Sequence, residues 1–305
     1  MISPQGPGLL VAAITHAPDE QAADGVARQL AGIRGLHLVV DNSTTPVARE
    51  RVHRACASHG VAVLGDGVNR GTAGGLNRLL AVARREGLEW ILYFDQDSST
   101  STSYDGFTER LGSLPTDVAL VGSTYDDERD VPATDLREVR YLISSGTFMR
   151  VAALTDVDGF DESLFMDLVD HEICLRLRRR GWRLMRARDL VMRHRIGAGP
   201  VARFGPLTLR RHPFWRRRLM WRNTWWWLTR EGVRGMGEPA RSGGVRAVET
   251  LAGAVRFRSP GFLAAAVAGT FDALVQPGRR RGLGASDAGA AASSAFGHED
   301  RPEQG

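Results

Sequence analysis

Four short apolar runs alternate with segments of helical spacing across the first hundred residues, and this alternation limits the folds open to the chain. The runs are "GLLVAAIT", "LHLVVDNST", "VAVLGD" and "WILYFDQD". Between them lie "DEQAADGVARQLAGI", "TPVARERVHRACASHG" and "TAGGLNRLLAVARREG". In the last, Leu76, Leu79, Leu80 and Ala83 share one helical face, and Gly60 and Gly87 are stop signals for two of the helices. Strands and helices alternating at these lengths predict βαβ units and a mostly parallel central sheet with helices on both faces. In such α/β sheets ligands bind beyond the carboxyl ends of the strands. "VVD", "YFD" and the glycine-rich "NRGTAGG" all fall at that edge.

From about Thr100 the pattern changes. "VALVGSTY" and "YLISSGTFMR" read as strands around an acidic loop, "DDERD". "DGFDESLFMDLVDHEICLRLRRRG" reads as a loop entering a helix that stops at Gly181, and "WRLMRA" and "LVMRH" as two short strands. Residues 206–276 read as helical, and the Ala/Gly/Ser-rich end as a disordered tail. The expected organisation is an α/β domain over 1–200, a basic, Trp-rich helical region over 201–280, and a tail over 281–305.

Charge and composition narrow the chemistry. The formal charge is +5, yet residues 176–234 hold 18 arginines against two acids, Asp189 and Glu231. Such asymmetry points to an anionic partner for the C-terminal half. The 305 residues include no lysine, which excludes a Schiff-base lysine and a phosphate-loop lysine. Cys56 and Cys174 are too few for a disulfide framework or a zinc site, so a reduced compartment is expected. The N-terminus lacks the basic stretch of a secretory signal. "FLAAAVAGTF" is too short for a membrane span, which needs about 20 apolar residues.

The chemistry-bearing residues cluster at the predicted strand ends. Asp95 and Asp97 are two apart, so in an extended segment they point the same way. Two carboxylates so placed suit a hard divalent cation, Mg²⁺ or Mn²⁺, that shares its remaining positions with phosphates; a turn or capping role is the plain alternative. Asp41 could accept a base N–H or simply form an Asx turn. "NRGTAGGLN" could present backbone N–H groups to a phosphate at a helix start, or its glycines could let a helix pack closely on the sheet. Ser145 and Gly146 in "ISSGTFMR" allow close approach of a sugar, or make an ordinary turn. Asp167, Asp170 and Glu172 begin an otherwise arginine-rich helix, where carboxylates suit the helix dipole; one of them could serve as a general base. His194, at a strand end, could join the aspartate pair as a metal ligand.

Taken in order, "VVDNST", "NRGTAGGLN", "YFDQDS", "ISSGT", "DGFDESLFMDLVDHEICLRLRRRGW" and "MRHRIG" resemble bacterial family 2 inverting glycosyltransferases. "DQDS" and "LFMDLVDHEICLR" look most like the rhamnosyltransferase branch, which uses dTDP-L-rhamnose. The resemblance spans roughly residues 8–225. It implies a GT-A fold and metal-dependent transfer of L-rhamnose to a cell-envelope polysaccharide or a lipid-linked saccharide. It also implies donor contacts at Thr15, Asp41, Asn69, Gly71, Asn77, Asp95 and Asp97, with the metal on Asp97 and His194. Asp170 would be the catalytic base. Ser145, Gly146, Glu172 and Arg222 would face the acceptor or the sugar. Departures are "AITHAP", where His16 and Ala17 replace a Tyr-Asn pair, and His171, where small residues are more common. A UDP-sugar donor, for galactofuranose or a hexose, is the nearest alternative.

Five of the seven tryptophans lie between Trp215 and Trp227, among Arg216, Arg217, Arg218, Arg222 and Arg230. Tryptophan with arginine suits an anionic membrane interface or nucleic acid, through stacking and phosphate contacts; a helix packed on the catalytic domain with a basic rim is the simpler reading. Peripheral contact with the cytoplasmic face of the membrane is the favoured expectation, with no nucleic acid partner; a basic nucleic-acid-binding protein is the alternative of another class.

Overall fold

The computed structural model describes residues 8–100, 102–125, 136–194, 201–204, 207–210, 212–231, 237–276 and 282. The four leading apolar runs form strands β1 (Leu9–Thr15), β2 (Leu36–Asp41), β3 (Ala62–Leu64) and β4 (Trp90–Asp95). Helices α1 (Glu20–Ala31), α2 (Pro46–Ala57) and α3 (Gly71–Arg85) connect them. Local chemistry starts the first two helices. The Asp19 carboxylate accepts from the Ala22 N–H, the Thr45 hydroxyl accepts from the Ala48 N–H, and Pro46 occupies the first turn of α2.

Further strands are β5 (Ser98–Thr100), β6 (Val118–Tyr125), β7 (Leu136–Glu138), β8 (Thr147–Arg150) and β9 (Arg183–His194). The sheet runs β3-β2-β1-β4-β8-β6-β9-β5, and β7 also pairs with β9. Strands β1 to β4, β6 and β9 point one way, while β5, β7 and β8 point the other. The parallel half was legible as strand–helix alternation. The antiparallel insertion of β8 between β4 and β6 was not, because it joins strands far apart in sequence.

Period-two alternation divides the core between the two faces of the sheet. Leu10, Ala12 and Ile14 of β1 join Leu76, Leu79 and Leu80 of α3 on one face. Leu9, Val11 and Ala13 join Val26 and Leu30 of α1 and Val52 of α2 on the other. Being covered on both sides is why these strands read as continuous apolar runs.

Three expectations change. "WRLMRA" and "LVMRH" are one strand, β9, unbroken at Arg188 and Asp189; Asp189 is held on the surface by Arg110 at 2.8 Å. In "YLISSGTFMR" only the last four residues are strand. A two-stranded ribbon, β10 (Val201–Phe204) with β11 (Leu207–Arg210), precedes the C-terminal helices. Those helices are α7 (Phe214–Glu231), α8 (Gly237–Arg256) and α9 (Gly261–Val275). The shorter helices are α4 (Asp105–Thr108), α5 (Val151–Asp156) and α6 (Val169–Arg179). The expected tail, apart from Gly282, lies outside the described residues.

Candidate active site

A cleft of about 740 Å³ opens at the carboxyl ends of β1 and β4. Thr15, Asn69, Gly71, Asp95, Asp97 and Asp170 line it together, although they span 156 positions of sequence from Thr15 to Asp170 counted inclusively. The parallel sheet causes this convergence, since the strands that carry the first and fourth runs are neighbours ending at one edge.

Hydrogen bonds between these ends hold the floor. The Thr15 hydroxyl donates to Asp41 Oδ1 at 3.1 Å, and the Ser43 N–H donates to the same oxygen at 3.0 Å. Asp41 is buried beside the cleft and does not itself line it, and its Oδ2 has no hydrogen-bond partner among the described residues. An orphaned buried carboxylate oxygen is costly unless a ligand N–H supplies the missing bond. The Asn42 side chain bridges β2 to the start of α3, donating to Gly71 O at 2.9 Å. Gln96, between the two aspartates, clamps the end of β1: its Oε1 accepts from the His16 N–H at 2.8 Å.

The glycines of "NRGTAGG" mostly serve packing. Gly71 has φ +66°, and a Cβ there would lie 2.3 Å from Phe165 O. That same carbonyl accepts from the Ala73 N–H at 3.0 Å, so the protein's own loop satisfies one of the helix-start donors. A Cβ on Gly75 would stand 2.6 Å from Ile14 Cδ1, so Gly75 lets α3 lie directly on β1.

Asp95 ends β4, where Tyr93 donates its hydroxyl to Asp95 Oδ1 at 2.5 Å. The Asp95 N–H donates to Ser145 Oγ at 2.8 Å. Asp97 stands exposed on the turn that follows. These two carboxylates fit a hard cation that draws its other oxygens from phosphates and water. Among the described residues, no group of three or more His, Cys, Asp or Glu is placed to hold a metal by itself. The side chain of His194 lies outside the described residues; its backbone pairs with Ser98, next to Asp97.

On the far wall, α6 presents Asp170. Both the N–H and the hydroxyl of Ser144 donate to its Oδ1. Burial pushes the Asp170 carboxyl up to about 6; the Ser144 bonds oppose this, and the nearby charges of Asp95 and Asp167 add to it. Asp167 is also raised by burial, against the pull of Arg246, whose Nη2 stands 3.3 Å from its Oδ2. His171 stacks on Tyr141 at 4.0 Å between ring centroids, and burial holds its imidazole down at about 4, so it is neutral at pH 7.

Five expected site residues point elsewhere. Asn77 is fully buried, donates to Phe160 O and Glu162 Oε1, and accepts from the Phe160 N–H. It holds the loop that leads to α6 and does not line the cleft. Ser145 is buried and supports the Asp95 backbone. Gly146, with φ +68°, makes a turn: its N–H donates to Tyr93 O, and a Cβ would meet Met192 Sδ at 2.6 Å. Glu172 faces inward and accepts from Arg176 at 2.5 and 2.6 Å. Arg222 donates to Ser163 O at 2.8 Å and covers the Trp226 ring at 4.1 Å. Residues that the sequence reading missed take their places. Tyr93, Ser144, Trp215, Arg216 and Arg246 line the cleft, the last three supplied by α7 and α8. Trp215 and Arg216 belong to the conspicuous Arg/Trp segment; nothing local marks Arg246.

The Glu172–Arg176 pair gives a stability test. Arg176 also bonds the carbonyls of Val157 and Gly159, so the pair ties α6 to the turn before it. Glu172→Ala would leave a buried guanidinium without its carboxylate and is expected to cost roughly 3–5 kcal/mol. Urea unfolding measures this, and a loss below about 1 kcal/mol, the scale of an exposed pair, would contradict it.

No protein-family model matches the chain. The dTDP-rhamnosyl transferase RfbF of Shigella flexneri is 26% identical over 212 residues, covering 60% of this chain and 68% of that protein. Among solved structures, the mannosyltransferase PcManGT from Pyrobaculum calidifontis, in complex with GDP-Man and Mn²⁺, aligns with a TM-score of 0.56 at 14% identity. That alignment covers 89% of this chain and 82% of that one. The chain has the GT-A fold. GalNAc-T7 with UDP, GalNAc and Mn²⁺ shares the GT-A fold at a TM-score of 0.51 and 9% identity, over 63% of this chain and 44% of that one. The resemblance to the rhamnosyltransferase-like branch, drawn from motifs, agrees with the RfbF relationship.

Proposed function

We propose that the protein transfers a sugar, L-rhamnose from dTDP-L-rhamnose, to a saccharide acceptor of the cell envelope, with inversion at the anomeric carbon. The observation that carries this is the placement of Asp170, a carboxyl group pushed up to about 6, in one cleft with Asp95 and Asp97. The relationship to a dTDP-rhamnosyl transferase supports the donor.

Each residue then has a task. The unpartnered Oδ2 of Asp41 takes a base N–H, with Thr15 fixing the carboxylate. Asn69 and Gly71 border the donor, and Asp95 lies by the ribose. Asp97, with Asp95 and His194, would hold a divalent cation, Mg²⁺ or Mn²⁺, which when bound supplies charge neutralisation to the donor diphosphate. Asp170 takes the proton of an acceptor hydroxyl as that oxygen bonds to the anomeric carbon. The bond from that carbon to the diphosphate oxygen breaks, and nucleoside diphosphate departs. Ser144 holds the base in place. Arg216 and Arg246, which line the cleft where Arg222 does not, face the anionic part of the donor or acceptor. Tyr141 and Trp215 offer ring faces to an acceptor sugar. The C-terminal helices make peripheral contact with the cytoplasmic face of the membrane, where lipid-linked acceptors reside.

A thermal-shift panel of nucleotide sugars, with and without Mg²⁺ or Mn²⁺, tests the donor. dTDP-L-rhamnose is expected to raise the melting temperature only when the cation is present. A shift confined to UDP-hexoses overturns the rhamnose assignment, and no shift with any nucleotide sugar overturns the donor site.

A further inference from the structure

Exposed apolar surface is concentrated on the C-terminal helices. Among the described residues, nine of the fourteen large apolar side chains left exposed belong to α8 and α9, which directs attention there rather than to α7. Their spacing gathers each set onto one face. Val248, Leu251 and Val255 stand at i, i+3 and i+7 on α8; Val267, Phe271 and Leu274 stand at i, i+4 and i+7 on α9. Val267 is 71% exposed and Leu274 77%, while Ala252, Phe262 and Ala265 on the same helices are buried. Both helices are therefore already packed by their inner sides and still present apolar outer ones. Patches of this kind mark contact with a partner.

We infer that these two faces dock on an anionic lipid bilayer, lying in its interface rather than crossing it. The inference rests on the membrane contact in the reading above and names the surface and the lipid class. Among the described residues, no helix is long and apolar enough to cross a membrane. Acids do not interrupt the stripes: Asp272 is gripped by Arg218 through two hydrogen bonds of 2.6 Å, and Glu249 lies 3.6 Å from Arg246. Basic residues bracket α9. Arg256 and Arg258 are exposed just before it, and Arg279, Arg280 and Arg281 follow it in sequence. An apolar face with exposed arginines at the start of α9 matches acyl chains beneath anionic headgroups. A second copy on the same surface would bring two such basic borders together, so charge favours lipid over self-association. The tryptophans of α7 are mostly engaged within the protein, and the exposed Trp215 lines the cleft. Trp226 and Trp227 are buried, and the indoles of Trp221 and Trp225 donate to Thr250 and Thr270.

Co-sedimentation of the full chain with phosphatidylcholine vesicles, and with vesicles rich in phosphatidylglycerol, tests this. The wild type is expected to bind the anionic vesicles about tenfold more tightly. The double variant Val267→Asp, Phe271→Asp is expected to lose that binding while keeping its melting temperature and its thermal-shift response to dTDP-L-rhamnose, because both side chains face solvent away from the cleft. Undiminished vesicle binding by this variant overturns the inference. So does loss of binding on Trp215→Ala with Trp225→Ala instead, or a wild-type dimer that binds no vesicles and that the variant splits into monomers in sedimentation velocity. Vesicle binding without any response to nucleotide sugars would sink the donor reading and leave this one standing.

Discussion

Asp170→Asn is expected to lower kcat by about 10³-fold, within the range that positioned acid–base groups contribute. Donor affinity should stay within about twofold, because the change removes a proton acceptor and not a donor contact. The amide still accepts the Ser144 bonds through its oxygen, so the folded protein should form normally. The pH profile gives a second readout. As the proposed base, Asp170 would have to be ionised, and burial places its titration at about 6. Hence kcat/KM of the wild type should rise as the pH rises through about 6 and fall below it, and the residual rate of the variant should lose that limb. A variant that retains most of its turnover, or keeps the acid limb unchanged, would remove Asp170 from the mechanism.

Asp97→Asn is the second large effect. Transfer should fall by roughly 10³-fold, since charge neutralisation at a diphosphate is worth several kcal/mol. The cation-dependent part of the donor thermal shift should vanish with it. Stability without ligand should hardly change, because Asp97 is exposed on a turn. Asp95→Asn offers the contrast. Its carboxylate accepts the hydroxyl of the buried Tyr93, so that substitution should weaken both activity and the fold. If Asp97→Asn binds donor with an undiminished response to Mg²⁺ and Mn²⁺, the aspartate pair is structural and the metal-assisted reading fails.

The legible and illegible parts of the site separate by physical cause. Asp95 and Asp97 could be placed because they close an apolar run, and a parallel sheet brings such ends to one edge; Thr15 came only from the family resemblance. The carboxylate cluster that opens α6 left Asp167, Asp170 and Glu172 open as the base, and the family resemblance chose Asp170. Asn77, Ser145, Glu172 and Arg222 stood in equally suggestive stretches, yet their side chains turn to neighbours that only the folded chain supplies: Phe160, Asp95, Arg176 and Ser163. A polar side chain buried by tertiary packing must satisfy its bonds locally, and that removes it from the cleft. For Gly71 and Gly75 the sequence left open a phosphate-facing helix start or close packing on the sheet, and the closeness of Phe165 and Ile14 favours packing.

The sequence by itself determined the strand–helix alternation, the edge where chemistry gathers and the aspartates that stand there. These are local properties: period-two and helical spacing are written residue by residue, and strand ends follow from them. Tertiary structure alone decided the antiparallel β8, the direction of each polar side chain and the contribution of Trp215, Arg216 and Arg246 to the cleft. It also buried Trp226 and Trp227 and left the outer faces of α8 and α9 apolar and bare. Those outcomes depend on which distant segments meet, and side-chain burial is set by the partner surface rather than by the residue's own neighbours in the chain.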